Sequence, residues 1–238
     1  MNQLLKVALL IALTCSLLLG TGLAENATLE SVYNLPLDNV DFWLDPELDY
    51  LVVGYHQPIS EEFMAEVEKR IVLIPNFVDG DTIGVEAATF LAFSRLQYDL
   101  RTNYGVEIAL YDAYRTVADQ TWLIESGLAT FKTGEPGYSE HHTGLLLDVI
   151  VRAGEYYYNE AAITRDDIPE EVKTSPNFEI FRSKLADYGF ILRFPEGKED
   201  ITGVPYTPSE IRFVGSSEIA HEITDNGLTL EEYVSGLN

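Results

Sequence analysis

The sequence predicts an α+β fold in which helices flank a small antiparallel sheet. Three observations favour this class: helical patterns come first along the chain, short apolar runs and helices then mix, and no regular strand–helix alternation follows. The chain has 238 residues, of which 46% are hydrophobic, so it can bury a sizeable core. A length of this order allows one large domain or two small ones.

The N-terminus has the pattern of a cleaved secretory signal. An apolar stretch from Leu4 to Leu19 leads to small residues that end at Ala24, and acidic, polar sequence follows. We expect residues 1–24 to be removed, with retention as a membrane anchor as the alternative. Cys15 is the only cysteine, so the mature chain would fold without disulfides. These features predict a secreted or cell-envelope protein with no stable membrane domain after cleavage.

The charge of the chain excludes two classes of partner. There are 39 acidic and 15 basic residues, which gives a formal net charge of −24. Nucleic-acid binding needs lysine and arginine to displace counterions, and docking on an anionic membrane needs a basic surface. We therefore expect neither partner, and we expect a monomer.

Residues 25–58 are irregular and are predicted to wrap around a domain that spans residues 59–238. Helix starts in that domain are marked by N-cap residues: Ser60, Thr116 in a capping-box pattern, and Ser175 before a proline. The predicted helices cover about residues 60–70, 85–103, 116–125, 175–188, 218–225 and 229–234. Alternating or nearly continuous apolar runs predict strands at 107–111, 145–151, 190–194 and 211–214.

A cluster of polar residues precedes the strand predicted at 145–151. The loop from Gly137 to Gly144 contains His141 and His142, and Asp148 interrupts the apolar strand that follows. A carboxylate buried in such a strand is unfavourable unless it is paired or binds a metal. His141 and Asp148 are seven residues apart and could converge on one ion, which is ordinary zinc chemistry. Spacing alone leaves open a metal site or a buried hydrogen bond between these two side chains.

Four segments, in the same order, resemble motifs of the VanY-type D-alanyl-D-alanine carboxypeptidases. The first resembles S-G-Y-R-S, the second S-E-H-x-x-G-x-x-x-D, the third Y-G-F-I-x-R-Y-P-x-G-K with the following I-T-G, and the last the closing segments of the family. The matching segments are Asp112–Thr116, Tyr138–Asp148, Tyr188–Gly203 and Ile211–Gly215 with Leu228–Tyr233.

The resemblance implies a Hedgehog/DD-peptidase-like fold, a peptidoglycan stem peptide as partner and one zinc ion. By match, His141 and Asp148 are the first two metal ligands. Arg115 would bind the substrate carboxylate or the developing oxyanion, because its guanidinium group is planar, always charged and able to donate two parallel hydrogen bonds. The alternative for Arg115 is an ion pair with the acidic surface. The residues implied to line the cleft are Gln120, Tyr138 and Ser139.

The last motif departs from the family pattern E-P-W-H. The register places Thr207 at the general-base position and Glu210 at the position of the third metal ligand. A carboxylate can still bind zinc, although the set becomes harder and more negative. A threonine hydroxyl cannot accept a proton near neutral pH, and losing a positioned base costs on the order of 10²–10⁴ in rate. Glu140, beside His141, is a candidate substitute base.

The sequence therefore leaves two functions open. One is a metallo-carboxypeptidase that removes a terminal D-residue from wall stem peptides, with the metal polarising the scissile carbonyl. The other is a pseudoenzyme that keeps the cleft and Arg115 and binds the peptide without turnover. The altered pair Thr207 and Glu210 distinguishes these hypotheses.

Overall fold

The computed structural model describes residues 44, 45, 47–75, 82–128, 134–153, 156–158 and 174–237. The predicted signal sequence, residues 1–24, lies outside the described residues, as does most of the predicted N-terminal wrap. All described residues belong to one compact unit. No helix within these ranges is long and apolar enough to cross a membrane.

Helices and strands mix along the described chain. The helices are α1 (Glu61–Glu68), α2 (Ala87–Asp99), α3 (Val117–Glu125), α4 (Pro176–Lys184), α5 (Glu199–Thr202), α6 (Ser217–Asp225) and α7 (Leu230–Gly236). The strands are β1 (Ile71–Pro75), β2 (Thr82–Glu86), β3 (Ile108–Asp112), β4 (Leu146–Ala153), β5 (Tyr156–Tyr158), β6 (Phe190–Phe194) and β7 (Thr207–Phe213). A π-helical turn (Leu100–Tyr104) extends α2, and 3-10 turns occur at Glu140–Thr143 and Ala186–Tyr188.

The strands form two antiparallel sheets in the described part of the chain. The main sheet has the order β3-β4-β7-β6, with β5 paired to the C-terminal part of β4, and β1 pairs with β2 separately. This arrangement confirms the predicted α+β class. Strand β4 pairs with β3 and with β7, and the latter register sets Asp148 opposite Glu210.

Aromatic side chains fill the core around the main sheet. Phe178 and Phe181 of α4 are completely buried and meet edge to face at 6.0 Å between ring centroids. Phe190 of β6 and Phe213 of β7 are equally buried, with centroids 5.3 Å apart. Helix α4 packs against β4. The strand that carries Asp148 is thus held between neighbouring strands and beneath a helix.

Most predicted helix ends agree with the structure, with two corrections. Thr116 and Asp119 form the capping box that starts α3, and the extension of α2 ends at Gly105, whose φ of 68° is the left-handed conformation that glycine favours. The helix predicted from residue 85 begins only at Ala87, because the preceding residues pair in β2. Ser175 stands at the N-cap of α4, but its side chain makes no capping hydrogen bond.

Candidate functional site

His141 lies in the 3-10 turn that leads into β4, and the turn fixes its ring. The side chain of His141 is almost completely buried, and its Nδ1 lies 2.5 Å from Ala113 O. Because a carbonyl oxygen only accepts hydrogen bonds, Nδ1 carries the proton and Nε2 has the lone pair in the neutral ring. Nε2 lies 3.8 Å from Asp148 Oδ1. That separation is too long for a hydrogen bond and is within the span of two ligands that bind one ion at about 2.0–2.2 Å each.

Glu210 lies beside this pair on the same face of the sheet. Asp148 and Glu210 are register partners in the β4–β7 pair, and directly opposite residues project from the same face. Glu210 is 2% exposed, and the Asp148 side chain is 14% exposed. Two neighbouring carboxylates in such an environment are unfavourable unless a cation or hydrogen-bond donors lie beside them.

The residues fit a zinc ion only in part. The His141 ring has the orientation of a metal-binding histidine, because Nδ1 is fixed by a backbone carbonyl and Nε2 faces Asp148. Across the ranges that the structure describes, however, no three His, Cys, Asp or Glu side chains lie together closely enough to hold a metal. The structure thus brings the first two predicted ligands together and places Glu210 next to them without completing a three-donor group.

Arg115 enters the site from the segment between β3 and α3. Its side chain is 12% exposed, and Nη1 forms an ion pair with Asp112 Oδ2 at 3.0 Å. Burial raises the pKa of Asp112 against the lowering effect of Arg115. The Nε atom of Arg115 is buried and has no hydrogen-bond partner among the described residues. The ion pair considered from the sequence is therefore present, but it uses only one end of the guanidinium group.

The three residues predicted to line the cleft form hydrogen bonds that involve main-chain atoms of neighbouring segments. Gln120 is completely buried in α3, and its Nε2 donates to Gly134 O at 2.6 Å. Ser139 is also completely buried, and its hydroxyl accepts a hydrogen bond from His141 N at 3.4 Å. Tyr138 is partly buried, and its carbonyl accepts from Tyr55 N at 2.7 Å. Ser139 and Tyr138 lie at the His141 turn, and Gln120 contacts the segment that precedes it. The contact of these three residues with a ligand stays a prediction.

Thr207 begins β7 and is almost completely buried. Its hydroxyl donates to Pro205 O at 3.1 Å. A hydroxyl held in this way has its single proton committed to a backbone carbonyl. The residue at the predicted base position therefore contributes to the local main-chain structure.

Glu140 is unsuited to the role of substitute base. Its carboxylate is completely buried and accepts hydrogen bonds from Arg193 Nε and Nη2 at 2.8 Å, from Arg212 Nε at 3.2 Å and from Gly54 N at 2.9 Å. Burial alone would raise its pKa, but the two guanidinium groups, that of Arg193 foremost, hold it below its usual range. A carboxylate with four donors around it lies in the scaffold and has no free lone pair directed at a reacting water.

Tyr55 lies near the site, although no pattern in the sequence points to it. It is the only non-glycine residue with positive φ in the described chain, at 58°, and its ring meets Phe194 edge to face at 5.3 Å. Burial raises the pKa of its phenol well above the usual value, and the nearby Glu210 carboxylate raises it further, whereas Arg115 lowers it. The phenol of Tyr55 therefore stays protonated near neutral pH. Its position in an irregular segment gave no periodic signal.

Comparison with known proteins places this geometry in a family. The family model described as VanY, D-alanyl-D-alanine carboxypeptidase, matches residues 82–216. A bifunctional D-Ala-D-Ala dipeptidase and carboxypeptidase, VanXYC of Enterococcus gallinarum, is 39% identical over 139 residues, covering 56% of this chain and 68% of that protein. The putative carboxypeptidase YodJ of Bacillus subtilis is 32% identical over 198 residues, covering 77% of this chain and 63% of that protein.

Solved structures show the same fold. The LdcB LD-carboxypeptidase is 28% identical, with a TM-score of 0.56 over 70% of this chain and 77% of that one. A mutant of the vancomycin-resistance D,D-pentapeptidase VanY in complex with Zn(II) is 24% identical, with a TM-score of 0.58 over 79% of this chain and 99% of that one. The family model covers more than half of the chain, and its span includes the His141 turn, Asp148 and the altered last motif. The chain belongs to the VanY D-alanyl-D-alanine carboxypeptidase family.

Proposed function

We propose that the protein binds peptidoglycan stem peptides ending in D-alanyl-D-alanine and hydrolyses them slowly or not at all. Family membership supports the ligand class, because the relative from Enterococcus gallinarum is named for D-Ala-D-Ala dipeptidase and carboxypeptidase activities. Such ligands lie outside the cytoplasmic membrane, which agrees with the predicted secretory signal. We therefore also propose an extracytoplasmic location.

The hydrogen bonding of the Arg115 guanidinium is the observation that supports the proposed binding. Nη1 is fixed by Asp112, while Nε is buried without a partner among the described residues. Nε and Nη2 form one planar edge of the guanidinium group, and such an edge binds a carboxylate through two parallel hydrogen bonds. A buried donor left unsatisfied is unfavourable, so a ligand that supplies an acceptor here gains affinity. The free carboxylate of a terminal D-alanine has the required chemistry.

The altered last motif supports slow or absent hydrolysis. Thr207 cannot serve as a base, and its hydroxyl is bonded to a backbone carbonyl. Glu140 is held by two arginines. Without a positioned base, hydrolysis is expected to be slower by about 10²–10⁴, which corresponds to about 3–5 kcal/mol in the barrier.

A metallo-carboxypeptidase is the second candidate, and the His141–Asp148 pair favours it. Nε2 of the histidine faces the carboxylate at 3.8 Å, and Glu210 lies opposite Asp148. Zinc bound by these residues would polarise the scissile carbonyl and make a bound water more acidic. In this hypothesis Arg115 orients the terminal carboxylate, and the base is a group other than Thr207 or Glu140.

Calorimetry and a D-alanine release assay together test the proposal. The ligands are a stem pentapeptide ending in D-Ala-D-Ala and the same peptide with an amidated C-terminus. We expect the acid to bind the wild type at least ten-fold more tightly, and Arg115→Lys to lose most of this preference, because lysine keeps the charge without the fork. With added zinc, release of D-alanine should stay near background. Equal binding of acid and amide would refute the binding proposal, and turnover of several per second would establish the second candidate.

A further inference from the structure

Two consecutive histidines hold the main chain of the segment that carries Arg115. Nδ1 of His141 donates to Ala113 O, and Nδ1 of His142 lies 2.7 Å from Arg115 O. His142 is 1% exposed, and its Nε2 accepts a hydrogen bond from Gly137 N at 3.0 Å. Because Nε2 accepts, Nδ1 carries the ring proton and donates to the Arg115 carbonyl. The His142 ring therefore bridges Gly137 to Arg115.

Side-chain packing leaves part of this segment unsupported. An open pocket of about 240 Å³ lies between α1 and the segment 114–117, and both Arg115 and His142 line it. A close-packed interior would fix a backbone by van der Waals contact, but the water in an open pocket gives the backbone no fixed partner atoms on that side. The main chain at Arg115 is thus held chiefly by hydrogen bonds, with its N–H donating to His141 O at 3.1 Å.

The other anchors act at neighbouring positions. Tyr114 N donates to Gly84 O at 2.8 Å, which ties the preceding residue to β2. Among the described residues, the Arg115 carbonyl is held by His142 alone. On the other side of the ring, Gly137 is itself anchored, since its carbonyl accepts from Ile59 N at 2.8 Å. The imidazole therefore connects the Arg115 carbonyl to a fixed loop.

We propose that His142 is a positioning residue, which sets the position of the Arg115 guanidinium for binding the peptide carboxylate. This inference rests on the proposed function, in which Arg115 binds the peptide carboxylate. Two parallel hydrogen bonds demand accurate placement, to within about 0.5 Å and 10–20°. A shift of the Arg115 backbone toward this open pocket would break the two parallel hydrogen bonds while leaving the charge in the site.

Two substitutions of His142 separate its contacts. In His142→Asn, the amide nitrogen takes the place of Nδ1 and still donates to Arg115 O, while Gly137 N loses its acceptor. In His142→Gln, the amide oxygen reaches the place of Nε2 and accepts from Gly137 N, but the Arg115 carbonyl loses its donor. Each variant gives up one hydrogen bond of the ring, so each is the matched control of the other for stability.

Hydrogen exchange of the Arg115 backbone amide tests the positioning without any ligand. We expect the Arg115 amide to exchange about ten-fold faster than wild type in His142→Gln, because this variant loses the hydrogen bond to the Arg115 carbonyl. In His142→Asn, which keeps that hydrogen bond, we expect exchange within about three-fold of wild type. Equal exchange rates in the two variants would overturn the inference. This result does not depend on what the protein binds.

Affinity for the acid and amide pentapeptides tests the consequence for recognition. We expect the acid/amide preference to fall about ten-fold in His142→Gln and to stay within about three-fold of wild type in His142→Asn. Loss of preference in both variants, together with equal falls in melting temperature, would show a merely structural role and overturn the inference. A wild type with no preference would instead refute the proposed function, and the exchange measurement would still decide the role of His142.

Discussion

The substitution Glu140→Gln is expected to lower the free energy of unfolding, and it removes no catalytic group. Glu140 is the shared partner of two completely buried arginines, Arg193 and Arg212. Glutamine keeps the shape of the side chain but loses the negative charge, and its NH2 group would face guanidinium donors. Arg193 would keep its contact with Glu231 at 2.6 Å, whereas Arg212 would keep only backbone carbonyls.

The size of the effect follows from this burial. Removing one partner of a buried ion pair costs about 3–5 kcal/mol, because a charge is left uncompensated in a poorly solvated environment. For a domain of this size, each kcal/mol lowers the melting temperature by about 2–4 °C. The melting temperature of Glu140→Gln should therefore fall by roughly 6–20 °C.

Thermal and urea unfolding, followed by far-UV circular dichroism, measure this change. The matched control is Glu231→Gln, which also removes a carboxylate from Arg193. Its effect should be smaller, about 1–2 kcal/mol, since Glu231 is 13% exposed and Glu140 still compensates the arginine. A Glu140→Gln variant as stable as wild type would contradict the assignment of Glu140 to the scaffold. Loss in that variant of D-alanine release that the wild type shows would make Glu140 the base.

Three further predictions concern the site itself. Glu210→His should tighten zinc binding by at least about ten-fold in a calorimetric titration, because an imidazole replaces a carboxylate; unchanged affinity would show that residue 210 does not bind the metal. Thr207→Glu combined with Glu210→His should raise D-alanine release by about 10²–10⁴, and each single change by much less, since base and ligand act as a unit. Tyr55→Phe should weaken binding of the acid pentapeptide about five-fold with little change in melting temperature, as for one lost hydrogen bond; wild-type affinity would show that the phenol does not contact the ligand.

Local patterns predicted the elements whose stability is decided locally. Strand β6 begins and ends at the predicted residues, and the capping box of α3 is present. The hairpin of β1 and β2 was missed, because a short apolar run such as Ile71–Pro75 has no period that separates strand from helix. Strand β7 begins four residues earlier than predicted, at Thr207. Its polar start and Pro208 argue against a strand, but pairing with β4 and β6 buries every residue.

The candidate site was predictable where its residues are close in sequence. His141 and Asp148 lie on a turn and the strand that follows, so their approach could be inferred from spacing. The role of Glu140 depends on Arg193 and Arg212, which are 53 and 72 residues away along the chain, and no local pattern reports such pairing. The metal-binding role of Glu210 stays a prediction.

The contacts of Arg212 give an irregular segment the stability of a core element. Its Nη2 donates to Tyr50 O at 3.2 Å and to Val52 O at 3.0 Å, and Gly54 N donates to the Glu140 carboxylate at 2.9 Å. The segment around residues 50–54 cannot fray without exposing unsatisfied buried charges, so its opening free energy should approach that of global unfolding. We therefore expect that proteases do not cleave this segment in the native protein. We also expect that a chain beginning at Ile59 loses cooperative folding.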